Sequence, residues 1–301
     1  MPILHAIILG ITQGLAEFLP ISSSGHLKLV PWLFGWNDFG ARPEFESIFD
    51  VALHMGTLIG AIAYFRSDLI SLARAGVGAL VNGRSKKELS ASTETSVRPA
   101  TVDVVEHPNR ENEARLAWLL LLSVIPAAVM GALFEDYFAK IGEAEWAIGL
   151  LLIVFGLVLL WADRLGGDRS ADDFRWRDAL LMGGAQALAL QPGVSRSGVT
   201  ITMARKIGFQ RDSAARLSFL MSLPVIAGAG IFKGLDIISA GGIPTDMRAA
   251  FLAGMITSGV TGWIAVWGTL RLVRTRTFTP FVVYRVMVGV GVLVIAASSF
   301  R

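Results

Sequence analysis

Residues 10–25, GITQGLAEFLPISSSG, decide how this chain folds. The stretch begins as an apolar segment and then breaks at a proline, three serines and a glycine, where hydrophobic residues would be expected to continue. A second stretch, residues 183–198, reads GGAQALALQPGVSRSG and aligns with the first without a gap. The shared glycine, glutamine, leucine, alanine and serine positions indicate a duplicated unit that contains two interrupted hydrophobic segments.

The composition is that of a membrane protein. Of the 301 residues, 53% are hydrophobic and only 17% are charged, whereas about 25% are charged in a soluble domain. Residues 116–134, 146–162 and 249–270 contain no charge at all, and each run is close to the ~20 residues with which a helix spans the bilayer. The absence of cysteine excludes disulfides and thiolate chemistry, and the net charge of +3 gives no argument for a nucleic-acid partner.

The apolar runs predict an all-α polytopic membrane protein. Six segments are long enough to be full spans, at residues 48–65, 116–134, 146–162, 213–232, 249–270 and 281–300. Two shorter segments, 3–19 and 179–190, end at the duplicated breaks, which is typical of re-entrant segments. The polar stretch 84–115 is predicted to be an extramembrane loop.

Charge predicts the topology. If residues 3–30 form a hairpin that enters and leaves on one side, most lysines and arginines gather in loops on one side of the membrane. This side is cytoplasmic by the positive-inside rule. The first hairpin then opens outward and the second opens to the cytoplasm. The chain therefore reads as one integral membrane domain, 1–301, with inverted repeats at about 1–134 and 146–301.

Two ionisable residues lie beside the breaks. A structural interpretation, in which the serines only satisfy the backbone of broken helices, is reasonable for the serines alone. It does not account for Glu17 and Arg196, because an ionised group at membrane depth costs several kcal/mol unless it is paired or hydrated. Both residues are therefore functional candidates.

The chemistry of the two breaks points to a phosphate site with a metal. Gln13 and Glu17, at i and i+4, share a helix face and offer oxygen ligands to a hard cation such as Mg²⁺. The second break brings Arg196, whose planar fork suits phosphate, next to a helix N-terminus. His26 has the right chemistry for proton transfer or nucleophilic attack. His5 and His54 are interpreted as structural, since a lone histidine in an apolar stretch usually is.

Two longer motifs, QGLAEFLPISSSGH at residues 13–26 and PGVSRSGVT at residues 192–200, carry a family resemblance. They resemble the signature motifs of the bacterial undecaprenyl-diphosphate phosphatases, the bacitracin-resistance family, and the resemblance covers nearly the whole chain. It implies six transmembrane helices plus two re-entrant helix pairs in an inverted-topology repeat. It also implies hydrolysis of undecaprenyl diphosphate to undecaprenyl phosphate and phosphate at the outward face of the bacterial inner membrane, which recycles the lipid carrier for cell-wall synthesis and confers bacitracin resistance.

The same resemblance assigns roles to the residues of the two motifs. The metal or catalytic-acid positions fall on Gln13 and Glu17, and the catalytic serine and histidine fall on Ser23 and His26. The predicted site is completed by Arg196, placed among the catalytic residues, and by a phosphate-binding set made of Ser22, Ser24, Gly193, Ser195, Ser197 and Thr200. Many members of the family have glutamate where this chain has Gln13, so Glu17 must carry more of the metal role here. The expected cofactor is Mg²⁺ or another divalent cation such as Ca²⁺.

The nucleophile and one rival function are left open by the sequence. His26, Ser23 activated by His26, or water activated by His26 would each suit attack on the terminal phosphorus. The expected partners are the polyprenyl diphosphate lipid and the bilayer, with no nucleic acid and with a homodimer left open. The rival function is a transporter or flippase for a phosphorylated lipid or other anion, because inverted repeats with broken helices are transporter architecture.

Overall fold

The structure is a computed structural model that describes residues 1–40, 42, 44–92, 108–141, 144–239 and 242–298. The described chain is helical, with two short 3₁₀ turns and no strand. The helices are α1 (Ile3–Phe18), α2 (Ser23–Phe34), α3 (Glu44–Tyr64), α4 (Arg66–Ser92), α5 (Pro108–Leu122), α6 (Val124–Ile141), α7 (Glu145–Arg164), α8 (Trp176–Ala187), α9 (Arg196–Lys206), α10 (Arg211–Ser239), α11 (Arg248–Val273) and α12 (Thr279–Ala297).

All six predicted spans are confirmed. Among the described residues, six helical stretches are long and apolar enough to cross a membrane: α3, α5 with α6, α7, α10, α11 and α12. The predicted span 116–134 is interrupted at Ser123, between α5 and α6. Pro126 explains the interruption, because a proline has no N–H to donate to the carbonyl of Leu122.

The two short segments form re-entrant pairs, as predicted. α1 ends at Phe18 and α2 starts at Ser23, while α8 ends at Ala187 and α9 starts at Arg196. α2 packs against the beginning of α7, where Leu29 meets Ile148. α9 runs instead to the end of α7, where Arg205 lies 3.4 Å from Asp163. The two returning helices therefore leave the centre of the molecule in opposite directions, as inverted repeats require.

The duplicated glycine of each repeat allows a helix to approach its neighbour closely. A Cβ placed on Gly10 would lie 2.5 Å from the carbonyl oxygen of Gly254 in α11. A Cβ placed on Gly183, its counterpart in the second repeat, would lie 2.3 Å from the carbonyl oxygen of Ser123. α1 thus packs on α11 and α8 packs on the break between α5 and α6, so the two re-entrant pairs are held in equivalent ways. The repeat boundaries themselves stay a prediction.

The two ends of the helix bundle differ in charge. At one end Asp163, near the end of α7, pairs with Arg211 at the start of α10. At the other end Arg42 pairs with Asp246, just before α11. We name the first end the basic side and the second the opposite side. The basic side holds the arginines of residues 164–177, 205–216 and 271–276.

The polar stretch 84–115 is helical at both of its ends, while its predicted place outside the membrane stays a prediction. α4 continues to Ser92, and α5 begins at Pro108. The polar composition hid these helices, because serine, lysine and glutamate are compatible with a helix that does not have to bury a wide apolar face. Residues 93–107 of the predicted loop lie outside the described part of the chain.

Candidate active site

The two breaks form matching turns at the centre of the molecule. Ser22 and Ser195 precede α2 and α9, with φ of 79° and 76°, a region that residues other than glycine rarely occupy. The Ser22 hydroxyl accepts from the amide of Gly25 at 3.3 Å, and the Ser195 hydroxyl accepts from the amide of Gly198 at 3.1 Å. The duplication seen in the sequence is therefore reproduced bond by bond, and both serines act as helix N-caps.

The two turns also bind each other. The amide of Gly193 donates to the Ser22 hydroxyl at 3.1 Å, and the Ser197 hydroxyl donates to the carbonyl oxygen of Leu19 at 3.1 Å. These contacts bring the N-termini of α2 and α9 to one place. Two positive helix ends and their free amides make this point suited to an anion.

Arg285 of α12, which sequence reasoning missed, fastens both turns from behind. It is fully buried. Its guanidinium donates to the carbonyl oxygen of Pro20 at 3.1 Å in the first turn, and to those of Gly193 and Val194 at 2.9 and 3.0 Å in the second. A lone arginine in an otherwise apolar span is the signal that could have found it, because such a charge needs buried partners.

Glu17 is the centre of the polar cluster, and it is buried. One carboxylate oxygen accepts from the Arg196 guanidinium at 2.6 Å, so residues from the two repeats meet in a charge-assisted bond. The other oxygen accepts from the Ser23 hydroxyl at 2.5 Å and from the Gln13 amide at 3.0 Å. The structure therefore brings together four of the predicted site residues.

His54 of α3 also belongs to this cluster, contrary to its interpretation as a structural residue. Its Nε2 lies 3.6 Å from the Glu17 carboxylate, while its Nδ1 lies 2.7 Å from the carbonyl oxygen of Asp50. The sequence does hold a signal for this: Asp50 and His54 are polar residues at i and i+4 in an apolar helix, so they share one face. His54 is the residue of that face that reaches Glu17.

His26 lies beside the cluster and is engaged elsewhere. Its Nδ1 is 2.8 Å from the carbonyl oxygen of Ser22, and its Nε2 is 2.9 Å from the hydroxyl of Tyr284. Since a carbonyl oxygen can only accept, Nδ1 carries the proton and Nε2 accepts from the tyrosine. The Ser23 hydroxyl is bonded to Glu17 and not to His26. The contacts thus favour Glu17 over His26 as the group that activates Ser23.

The other predicted phosphate ligands mainly shape the turns. The hydroxyl of Thr200, fully buried, donates to the carbonyl oxygen of Arg196 at 2.8 Å and lies 2.6 Å from the Ser218 hydroxyl. The hydroxyls of Ser195 and Ser197 are 3.3 Å apart. Ser24 is half-buried in the first turn of α2, and among the described residues no hydrogen bond ties it to Glu17 or Arg196.

The donor set beside Glu17 fits a divalent cation. The Oε1 atom of Gln13 is buried without a hydrogen-bond partner among the described residues, and the same side chain binds the Glu17 carboxylate through Nε2. An amide oxygen left without a partner, next to a carboxylate, is a pair of ligands that a hard cation prefers. The described residues contain no group of three or more acidic, histidine or cysteine side chains that could hold an ion alone. The remaining ligands would therefore have to come from a phosphate and water.

Comparison with known proteins gives one consistent result. The family model described as "Bacitracin resistance protein BacA" matches residues 6–291. A protein of Pelotomaculum thermopropionicum is 41% identical over 99% of this chain and 98% of its own length. Proteins of Pelobacter propionicus and Geobacter sulfurreducens are 43% and 45% identical, each over 97% of this chain and over 97% and 98% of their own lengths. All three relatives carry the name "Undecaprenyl-diphosphatase".

Proposed function

Because the chain belongs to the bacitracin resistance protein BacA family, we propose that it hydrolyses undecaprenyl diphosphate to undecaprenyl phosphate and inorganic phosphate. The three relatives named above match this chain over nearly their whole length, and their name, "Undecaprenyl-diphosphatase", denotes that reaction. The transporter alternative is not favoured, since no relative named above is a transporter and a serine hydroxyl stands next to the anion site.

One observation carries the proposal: Arg196 of the second repeat and Ser23 of the first both bind the Glu17 carboxylate. A guanidinium suited to phosphate, a carboxylate that could accept a proton and a hydroxyl thus belong to one hydrogen-bonded group, which supports the proposal. Among the described residues, two of the five N–H donors of Arg196 are used, by Glu17 and by the carbonyl oxygen of Ser222. The other donors can bind phosphoryl oxygens.

The arrangement suggests how these residues act. Arg196 and the N-terminal amides of α2 and α9 hold the terminal phosphoryl group, and they stabilise the charge that develops on its oxygens. The Ser23 oxygen attacks the terminal phosphorus as its proton passes to Glu17. The bond between phosphorus and the bridging oxygen breaks, and undecaprenyl phosphate leaves. Water then attacks the phosphoserine, with Glu17 returning the proton to Ser23, and inorganic phosphate is released.

A divalent cation completes the proposal. Gln13 and Glu17 would hold it, since the Oε1 atom of Gln13 has no hydrogen-bond partner within the described part of the chain. When bound, such an ion neutralises charge on the phosphate oxygens. Magnesium is the expected ion, with calcium as a substitute.

The protein is a multi-pass membrane protein by its apolar helices and its family. We further propose that it lies in the bacterial inner membrane with the site facing outward, that it recycles the lipid carrier for cell-wall synthesis and that it contributes to bacitracin resistance. The α1–α2 pair supports the outward site, because it enters and leaves on the opposite side, which carries fewer basic residues. The homodimer stays a prediction.

Phosphate release from undecaprenyl or farnesyl diphosphate by purified protein in detergent tests the activity, with and without Mg²⁺. Acid quenching with a substrate labelled in the terminal phosphate tests the nucleophile. We expect labelled protein from the native chain and none from Ser23→Ala, while Ser47→Ala, an exposed serine of α3, behaves as native. Turnover without any labelled protein would refute attack by Ser23, because a phosphoserine is stable to acid, and no turnover with any divalent cation would refute the phosphatase.

A further inference from the structure

A second polar cavity lies on the basic side of the molecule, away from Glu17. Its volume is about 570 Å³, within the range of small-molecule sites, roughly 300–1,000 Å³. It lies where α7, α9 and α11 end and α10 begins. Its charged and amide side chains are Asp163, Arg164, Asp168, Arg205, Gln210, Arg211, Asp212 and Arg274.

This cavity is distinct from the candidate active site. α9 begins at Arg196, in the active site, and reaches the cavity at Arg205. Nine residues of α-helix at 1.5 Å each separate the two by about 14 Å along the helix axis. The two sites therefore sit at opposite ends of one short helix, and neither α1 nor α2 contributes to the cavity lining.

The carboxylates of the cavity are largely committed to the protein itself. Asp163 accepts from Arg211 at 2.6 Å and from the amide of Phe278 at 3.1 Å. Asp212 accepts from the amide of Ser213 at 2.9 Å. Only the exposed Asp168 is left without such a bond within the described residues.

Two of the four cavity arginines are also bound to the protein: Arg211 to Asp163, and Arg205 to the carbonyl oxygens of Phe209 and Asp163. Donors nevertheless stay free. Arg205 is buried, and its Nε atom has no hydrogen-bond partner in the described chain, although Asp163 lies 3.4 Å away. Arg164 and Arg274 are exposed at the mouth of the cavity, and neither forms an ion pair with a described residue. The cavity thus has an excess of guanidinium groups over free carboxylates.

We propose that this cavity binds the phosphate group of an anionic ligand, either the headgroup of an anionic lipid or inorganic phosphate. Guanidinium forks match the oxygens of a phosphate, and the start of the long helix α10 adds the positive end of a helix. Basic pockets between helices at a membrane surface suit lipid phosphates in particular. Arg164 and Arg274 bind the ligand, while Arg205 forms the floor.

A purely structural role explains only part of the cavity. The bonds of Asp163 with Arg211 and Phe278 hold α7, α10 and α12 together. Arg164 and Arg274 take no part in these bonds. Replacing these two arginines therefore tests ligand binding without removing a contact that stabilises the fold.

The test measures binding to the full chain in detergent. All proteins compared carry Arg196→Ala, which removes the main cation of the active site and so reduces anion binding there. Two probes are compared: labelled inorganic phosphate by equilibrium dialysis, and dioleoyl phosphatidate against dioleoyl phosphatidylcholine by native mass spectrometry. Adding Arg164→Gln and Arg274→Gln should weaken binding about tenfold or more, since each basic residue at a membrane surface contributes measurably to holding an anion. Arg276→Gln removes an exposed arginine that does not line the cavity and should leave binding unchanged.

The outcomes distinguish a lipid headgroup from inorganic phosphate as the ligand, and one of them refutes the proposal. Selective loss of phosphatidate binding identifies a lipid headgroup site, and loss of inorganic phosphate binding identifies a site for the free ion. Equal binding by the Arg164→Gln/Arg274→Gln protein and the Arg276→Gln protein, for both probes, refutes the proposal. The Arg164→Gln and Arg274→Gln pair in an otherwise native chain should retain phosphatase activity, which shows that the protein is folded and separates this result from the proposed function.

Discussion

Glu17 connects more of the site than any other side chain described above, because it binds Gln13, Ser23 and Arg196 and lies near His54. We predict that Glu17→Gln nearly abolishes phosphate release. The amide keeps the size of the side chain, but it cannot take a proton from Ser23 and leaves Arg196 without its counter-ion. Steady-state turnover measures the effect, with Glu44→Gln, an exposed acid of α3, as the control. Retention of more than about a tenth of the native rate, or a barrier increase under ~1.4 kcal/mol, would contradict this role.

Arg196 is predicted to need its guanidinium and not merely its charge. Its Nη2 binds Glu17 at 2.6 Å and its Nη1 binds the carbonyl oxygen of Ser222 at 3.2 Å, a fork that lysine cannot reproduce. We expect Arg196→Ala to lose several kcal/mol of transition-state binding, with kcat/KM reduced by about 10²-fold or more, and Arg196→Lys to recover only part. Both proteins should insert and purify normally. Native kcat/KM in Arg196→Lys would show that a point charge is sufficient.

Sequence reasoning found the residues of the site better than their contacts. Glu17 and Arg196 were found because an unpaired charge at membrane depth is costly, and they do pair. The catalytic role of His26 stays a prediction, and its two nitrogens bind the carbonyl oxygen of Ser22 and the hydroxyl of Tyr284. Tyr284 comes from the far end of the chain, and such a partner cannot be deduced from local spacing.

At the scale of elements, α12 supports the site through Arg285. We predict that Arg285→Met, similar in length but without donors, lowers the apparent midpoint of thermal unfolding by several degrees and reduces turnover. Each carbonyl oxygen left without its charged donor costs roughly 1–3 kcal/mol, and both turns lose their anchor. Fluorescence-detected unfolding of the detergent-solubilised protein measures the first effect. Arg276→Met, on an exposed loop, is the control, and native stability and turnover in Arg285→Met would mean that the turns hold without it.

The sequence places the six spans and the two interrupted segments correctly. A proline and a glycine in an apolar run end a helix for local reasons, so both hairpins and their inverted relation were predictable from residues 10–25 and 183–198. The continuation of α4 to Ser92 was not, because that segment has little local hydrophobic pattern, whereas Pro126 does signal the break at Ser123.

At the scale of the whole molecule, the inverted repeat determines both the opposite directions of α2 and α9 and the set of residues that meet in the site. α2 and α9 start from one centre and leave in opposite directions, so their positive ends converge while their negative ends point to the two sides. The first repeat supplies Glu17 and Ser23, and the second supplies Arg196, so a single copy never holds all three. The site therefore exists only because the repeats interlock, and this explains why the most informative signal in the sequence was the comparison of the chain with itself.

The same inversion allows the orientation to be tested with one helix. α11 (Arg248–Val273) has 26 residues, about 39 Å of helix, with exposed Thr245 before it on the opposite side and exposed Thr275 after it on the basic side. The chain contains no cysteine, so a single introduced thiol gives an unambiguous label. In intact cells a membrane-impermeant maleimide should label Thr245→Cys, and should label Thr275→Cys only after permeabilisation, because the positive-inside rule puts the basic side in the cytoplasm. The reverse pattern would place the basic side outside the cell. The α8–α9 pair would then open outward, and the α1–α2 pair, which carries Glu17, would open to the cytoplasm.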